Sequence, residues 1–222
     1  RMNGRSIAAI VAAFNEEKTI GPIIKTLVDT GIFRDIIVIS DGSSDRTSEI
    51  ARQNGASLVH QFPINRGKGR AVLHGVGHTD ASILFFCDAD LKGLTVEHVK
   101  NIVEPVVRGD LAMNVGIRDR GALMMKITPH LPLIGGERSL SRNLFEKIPE
   151  KYLNGFMLET SLNYACSVHG MRIGTTEMPG LTMRKKMQKV GFWRGLMQYI
   201  GMGFQMAAAA IAVRIGRLKG DF

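Results

Sequence analysis

The chain has 222 residues, 45% of them hydrophobic and 22% charged, with seven prolines and 25 glycines. This composition excludes a fibrous or disordered protein and suffices for one sizeable core. The formal net charge of +9 points to anionic partners, without choosing among phosphates, nucleic acid and acidic lipid.

Arg1 ahead of Met2 is set aside as a cloning remnant, and no secretory signal opens the sequence. Cys87 and Cys166 both fall in apolar patterns, so two packed thiols in the reducing cytoplasm are expected. "SIAAIVAAF" (6–14) is a nearly continuous apolar run, the pattern of a strand buried on both faces. Asn15 suits the cap of a following helix, with Glu16 and Glu17 in its first turn and Gly31 past its end. Ile20, Ile23, Ile24 and Leu27 give its buried stripe, and Pro22 argues for a start near that residue. "DIIVIS" (35–40) is a second strand, and Asp45 or Thr47 in "DGSSDRT" caps a helix reaching about Asn54. "ASLVHQF" (56–62) is a third strand, and "NRGKGRAVLHGVGHT" (65–79) is a loop leading into a helix. "SILFFC" (82–87) is a fourth strand, 95–108 a helix and "DLAMNVG" (110–116) a fifth strand. This alternation predicts an α/β fold: a doubly wound, mostly parallel sheet with helices on both faces. After about Gly116 the alternation stops. Residues 117–139 read as loop, helices are expected at about 139–147 and 156–169, and "MRIGTTEM" (171–178) is a short strand.

In an open parallel sheet, ligands bind at the carboxyl ends of the strands. Four strand ends in turn deliver Asn15-Glu16-Glu17, then Asp41 to Asp45, then Asn65, Arg66 and Lys68, then Asp88 and Asp90. Two carboxylates at i and i+2 can approach a common point, and hard cations such as Mg²⁺ or Mn²⁺ prefer such oxygens. An isolated pair of this kind can equally be a helix cap and a solvated turn. Gly67 and Gly69 make no dinucleotide fingerprint, because Val72 takes the third glycine's place, and no phosphate-loop motif is present.

In order along the chain stand "AAFNEE", "VISDGSSDRT", "NRGKGRA" and "FFCDAD". The set resembles the family 2 glycosyltransferases of the GT-A fold over roughly the first 120 residues. Ala12 replaces a frequent proline of that pattern, and Ser40 replaces the first acid of its D-D-G-S segment. The resemblance implies that Phe14, Asn15 and Glu16 lie beside the donor nucleoside. It implies that Asp41 accepts a base N–H, that Lys68 approaches the phosphates, that Asp88 faces ribose and metal, and that Asp90 faces the metal. A first-turn helix acid is the plain alternative for Glu16.

"GGERSLSRNLFEKIP" and "GFMLETSLNYAC" resemble acceptor-side segments of the same family and of glucosyl-phosphoglycerate synthases. On that likeness Glu137 and Arg138 face donor sugar or diphosphate. Glu159 becomes the candidate to take a proton from an acceptor hydroxyl, with Glu137 its rival. A phosphate acceptor is already anionic and needs no base. Where relatives carry a metal-binding histidine, this chain has Arg184, Lys185 and Lys186, which suit the leaving diphosphate instead. Family 2 implies inversion at the anomeric carbon; the likeness to phosphoglycerate-type enzymes leaves retention open.

The segment 195–213 carries no formal charge, and Arg194, Arg214, Arg217 and Lys219 flank it. It is read as an apolar C-terminal helix lying on a membrane surface or a second subunit, with packing on its own domain and a bilayer span as alternatives. The expected organisation is a nucleotide-sugar half at 2–115, an acceptor half of the same domain at 116–190, and this helix at 191–222. The expected reaction is metal-assisted sugar transfer from a nucleoside diphosphate sugar, UDP before GDP. The acceptor is a polyprenyl phosphate or a small acidic molecule, at the cytoplasmic membrane face or in the cytoplasm, and nucleic acid is no partner. A nucleotidyltransferase would share the sheet and the acids but would open with a glycine-rich basic loop where "AAFNEE" stands.

Overall fold

A computed structural model describes residues 4–118, 135–153, 157–183 and 215–216. In chain order the strands are β1 (Ile7–Ala13), β2 (Asp35–Ser40), β3 (Leu58–Gln61), β4 (Ile83–Asp88), β5 (Leu91–Lys92), β6 (Met113–Arg118), β7 (Arg138–Ser141), β8 (Ile173–Met178) and β9 (Thr182–Met183). The helices are α1 (Ile20–Asp29), α2 (Thr47–Gln53), α3 (Lys68–Val76), α4 (Val96–Arg108), α5 (Arg142–Glu146) and α6 (Met157–Val168).

The main sheet runs β3-β2-β1-β4-β7-β6-β8. β3, β2, β1 and β4 are parallel, β6 is parallel to β8, and β7 runs against both β4 and β6. The strands are apolar without alternation because both faces are covered. Ile7, Ala9 and Val11 join Phe85 and the α1 and α4 residues Ile24 and Ile102 in one cluster. Ala8 and Ile10 join Phe86, Val72 of α3 and Leu162 of α6 in the other. Each large apolar side chain buried this way contributes roughly 1.5–3 kcal/mol. Both cysteines are buried and free, as expected, and burial pushes the Cys166 thiol up to about 11.

The expected doubly wound sheet is present, with three local corrections. First, α1 begins at Ile20, before Pro22, and Thr19 holds its cap position. Asn15 caps nothing: it takes a left-handed conformation, φ 55°, and Glu16 and Glu17 precede the helix. Asparagine is among the few residues that tolerate that region, which is why it serves here as well as it would in a cap. Second, Arg46 holds the cap position of α2, while Asp45 Oδ1 accepts from the Thr47 amide at 3.0 Å. Third, residues 138–141, read as loop and helix start, form β7 at the sheet centre, and Ile117 and Arg118 extend β6. The segment 191–222 lies outside the described residues except for Ile215 and Gly216. Among the described residues no helix is long and apolar enough to cross a membrane.

Candidate active site

Because β3, β2, β1 and β4 run parallel, their four polar endings share one edge of the sheet. β7 enters the sheet at that same edge, since it runs against β4 with Phe86 opposite Arg138. Continuing the register brings position 88 opposite position 136. Gly136 indeed packs on the Asp88 carboxylate: a Cβ there would lie 2.0 Å from Asp88 Oδ2. Arg138 holds this turn, donating through Nη2 and Nε to the Gly135 carbonyl at 2.6 and 3.1 Å.

Three charged residues from distant parts of the sequence meet here. Lys68, the first residue of α3, places Nζ 2.6 Å from Asp88 Oδ1 and 3.1 Å from Glu159 Oε1. Arg138 Nη2 stands 4.0 Å from Glu159 Oε2. Burial alone would lower Lys68, but the charges of Asp88 and Glu159 outweigh it and push it up, so the ammonium stays charged. Burial lowers Arg138, while Glu159, Asp88 and Glu137 oppose that shift. Asp90 follows in the turn after β4 and is partly buried. The Ala89 carbonyl between the two acids accepts from Thr19 Oγ1 at 2.7 Å, fixing the turn to the start of α1.

Glu137 and Glu159 differ sharply. The Glu137 side chain is 0% exposed and that of Glu159 is 17% exposed, so only Glu159 meets solvent. Glu137 Oε2 lies 3.2 Å from Arg118 Nε as an ion pair, yet neither of its oxygens receives a hydrogen bond among the described residues. Burial first, then the Asp88 charge, raise its pKa to about 7. Arg118 was not anticipated. The strand-end rule would have found it, since β6 runs parallel to β4 and ends at the same edge.

The residues expected beside the nucleoside form a second, mostly hydrogen-bonded group. Asp41 is buried, and its Oδ1 and Oδ2 accept from the amides of Arg66 and Gly67 at 2.7 and 2.8 Å. Its carboxylate therefore shapes the loop that delivers Lys68. Gly42, φ 75°, backs directly onto the chain at Ile64 and Asn65, where a Cβ would lie 2.4 Å from Asn65 N. The Asn15 amide donates to Ser43 Oγ and Asn15 Oδ1 accepts from the Ser44 amide, at 3.1 and 2.9 Å. Thr19 Oγ1 donates to Glu16 Oε2 at 3.1 Å. Burial raises Asp45, but hydrogen bonds from Thr47 and the Glu17 amide outweigh it and hold its carboxyl low. Phe14 is 46% exposed at the end of β1, a free apolar surface beside these loops. Arg184 and Lys186 lie outside the described residues. β9 leads up to them, and its Met183 pairs with Leu91, the neighbour of Asp90.

The sequence profile of Glycosyl transferase family 2 matches residues 8–172, which span all of these positions except Arg184 and Lys186. The chain belongs to glycosyltransferase family 2. Among proteins of similar sequence, an uncharacterized protein of Methanocaldococcus jannaschii is 35% identical over 137 residues, 60% of this chain and 55% of that one. A 4,4'-diaponeurosporenoate glycosyltransferase of Staphylococcus aureus is 33% identical over 105 residues, 46% of this chain and 28% of that one. The chain thus matches about half the length of the first relative and less of the second. A crystal structure of Mycobacterium tuberculosis glucosyl-3-phosphoglycerate synthase superposes with a TM-score of 0.75 at 26% identity, covering 95% of this chain and 81% of that one. The complex of that synthase with Mg²⁺ and UDP superposes with a TM-score of 0.78 at 24% identity, covering 95% and 79% of the two chains, and confirms the GT-A-like fold.

Proposed function

We propose that this chain transfers a sugar from a nucleoside diphosphate sugar to an acceptor that docks beside Glu159. The observation that carries the reading is the meeting of Lys68, Asp88 and Glu159 at the carboxyl edge of the sheet. One cation there faces two acids from separate halves of the chain, where a diphosphate and an attacking oxygen would have to meet. The Mycobacterium tuberculosis synthase has been crystallised with UDP and Mg²⁺, which supports UDP as the nucleotide.

The donor set at the turn suits a hard divalent ion. Asp88 and Asp90 offer carboxylate oxygens, and the missing side chain at Gly136 makes room for the Asp88 carboxylate. Mg²⁺ commonly binds through one or two carboxylates plus substrate phosphates. Asp88 and Asp90 would hold Mg²⁺ or Mn²⁺, which when bound supplies Lewis-acid neutralisation of the leaving diphosphate.

The chain's own groups do the rest. Lys68 is a compact cation at a helix start, a place that favours anions, and it turns from Asp88 to the diphosphate when the donor enters. Phe14, Asn15 and Asp41 frame the nucleoside. Where the acceptor is a hydroxyl, Glu159 accepts its proton as the oxygen attacks the anomeric carbon, whereas a phosphate acceptor attacks without a base; Glu137 is too buried to touch an acceptor. Arg138 positions Asp88 through the 135–136 turn. Arg184 and Lys186 are placed on the departing diphosphate, and the support for this is that β9 ends beside the turn of Asp90. Residues 2–115 act as the nucleotide-sugar half and 116–190 as the acceptor half.

For the acceptor we favour a polyprenyl phosphate at a membrane surface. The support is the apolar segment 195–213 with its flanking arginines and the net charge of +9. A small phosphorylated or carboxylate acceptor is the second reading, supported by the likeness to glucosyl-3-phosphoglycerate synthase. A thermal-shift panel of UDP- and GDP-sugars, with and without Mn²⁺, tests the donor, because ligands of the native state raise its apparent stability. No shift with any of them would end the reading. Turnover of the preferred donor with polyprenyl phosphate vesicles or with phosphoglyceric acid, each alone, then separates the acceptors.

A further inference from the structure

Away from the acids, on the α3 side of the sheet's edge strand, three histidines gather. His60 lies in β3, His74 in α3 and His78 just past its end. The β3 register sets His60 beside Ile39, whose face packs on α3, so the imidazole meets the helix. His74 and His78 are four residues apart and therefore lie on one side of the helical turn. One nitrogen from each of the three rings falls within 4.8 Å of the others. The Nε2 atoms of His74 and His78 are 3.1 Å apart, and the ring centroids of His60 and His74 are 4.4 Å apart. Phe62 packs edge-on against both His60 and His74, walling one side, while His78 is exposed and leaves the other side open.

Two imidazole nitrogens bound to one tetrahedral Zn²⁺, each about 2.0–2.1 Å from it, are separated by roughly 3.3 Å. The observed pair, within hydrogen-bond reach of one another, is also close to that spacing. We propose that His60, His74 and His78 bind a transition-metal dication of the Zn²⁺, Ni²⁺ or Cu²⁺ class, clipping edge strand β3 to α3 with a fourth position open to water. The chemistry separates this site from the acids, because imidazole suits these metals whereas carboxylates suit Mg²⁺ and Mn²⁺. Arg66 is the cationic neighbour, with its guanidinium over Phe62 at 5.3 Å, and it limits the affinity. The metal would anchor the end of α3 opposite Lys68, so its first effect is on the stability of the helix that carries that lysine.

The test uses the untagged full chain, since an affinity tag of histidines would bind the same ions. One equivalent of Co²⁺ is expected to give the intense visible absorption of a tetrahedral site, and Zn²⁺ is expected to abolish it and raise Tm. His74→Gln and the exposed His78→Gln should each weaken Zn²⁺ binding at least about tenfold, a loss even second-layer partners can cause. Asp90→Asn should keep the full signal. Absence of a tetrahedral Co²⁺ spectrum in a chain that is folded by circular dichroism overturns the proposal. So does a spectrum that survives both histidine substitutions or disappears with Asp90→Asn.

Discussion

Lys68 Nζ stands 2.6 Å from Asp88 Oδ1, so the first residue of α3 and the last residue of β4 share a charge contact across the mouth of the sheet. Lys68→Met removes the cation that bridges Asp88 and Glu159. Affinity for UDP in the presence of Mg²⁺ should fall by about tenfold or more, a change of about 1.4 kcal/mol. Lys68→Arg should recover part of it, because a planar fork replaces a point charge. Calorimetric titration of UDP reads both.

Gly136 is required by the Asp88 carboxylate, not by its own backbone. A Cβ at 136 would overlap both carboxylate oxygens, at 2.0 and 2.8 Å. Gly136→Ala should therefore swing Asp88 away while the sheet survives. Sugar transfer and Mn²⁺-dependent donor binding should drop together, with Tm changed by no more than a few degrees. Loss of fold instead would show that the turn is structural.

Glu137 gives the ligand-free chain an unusual pH profile. Its folded pKa is about 7 against 4.5 for the free side chain. Between those values the folded chain holds a proton that the unfolded chain has released, so stability falls as pH rises through this window. Glu137→Gln keeps the shape and loses the titration. Its Tm should be flatter than that of the parent from pH 5 to 8, with a relative gain on the order of 1–3 kcal/mol at the upper end. A parent chain with no decline across that range would contradict the burial of this acid.

Glu159→Gln distinguishes acceptor chemistries. With a hydroxyl acceptor, loss of the base should lower kcat by roughly 10²–10⁴. With a polyprenyl phosphate, which arrives deprotonated, kcat should stay within about tenfold of the parent and the change should appear in KM. Steady-state kinetics on the two acceptors reads the difference.

Asp41→Asn puts an amide where a carboxylate now accepts from two backbone N–H groups. One of those donors would be left unmatched, at about 1–3 kcal/mol. Hydrogen exchange at Arg66 and Gly67 should quicken, and donor affinity should weaken through the displaced Lys68 loop even where the nucleobase is changed.

The parallel part of the sheet, β1 to β4, was legible because its strands are covered on both faces and so read as apolar runs ending in polar residues. The same rule extends to Arg118, at the end of β6, which composition alone disguised as loop. β7 was hidden for a physical reason: its residues Arg138 and Ser139 are polar yet buried, and the guanidinium is satisfied by the Gly135 carbonyl. With Leu140 as its one apolar residue, such a strand carries little apolar signal, and its tertiary partners reveal it. Asn15 misled because one side chain suits both a helix cap and a left-handed turn, and the distinction depends on Ser43 and Ser44, residues distant in sequence. Asp41 was visible as an acid at a strand end, but its hold on the Arg66 and Gly67 amides belongs to the fold.

The antiparallel strand has a consequence for how the protein is made. β6 and β8 join β4 only through β7, which emerges from the ribosome after β4 and β6. Until then one border of β4 and both borders of β6 lack their strand partners and are open to a neighbour's backbone. Synthesis that stalls or stops before residue 138 should therefore yield insoluble product, and a holding chaperone should matter most at that point.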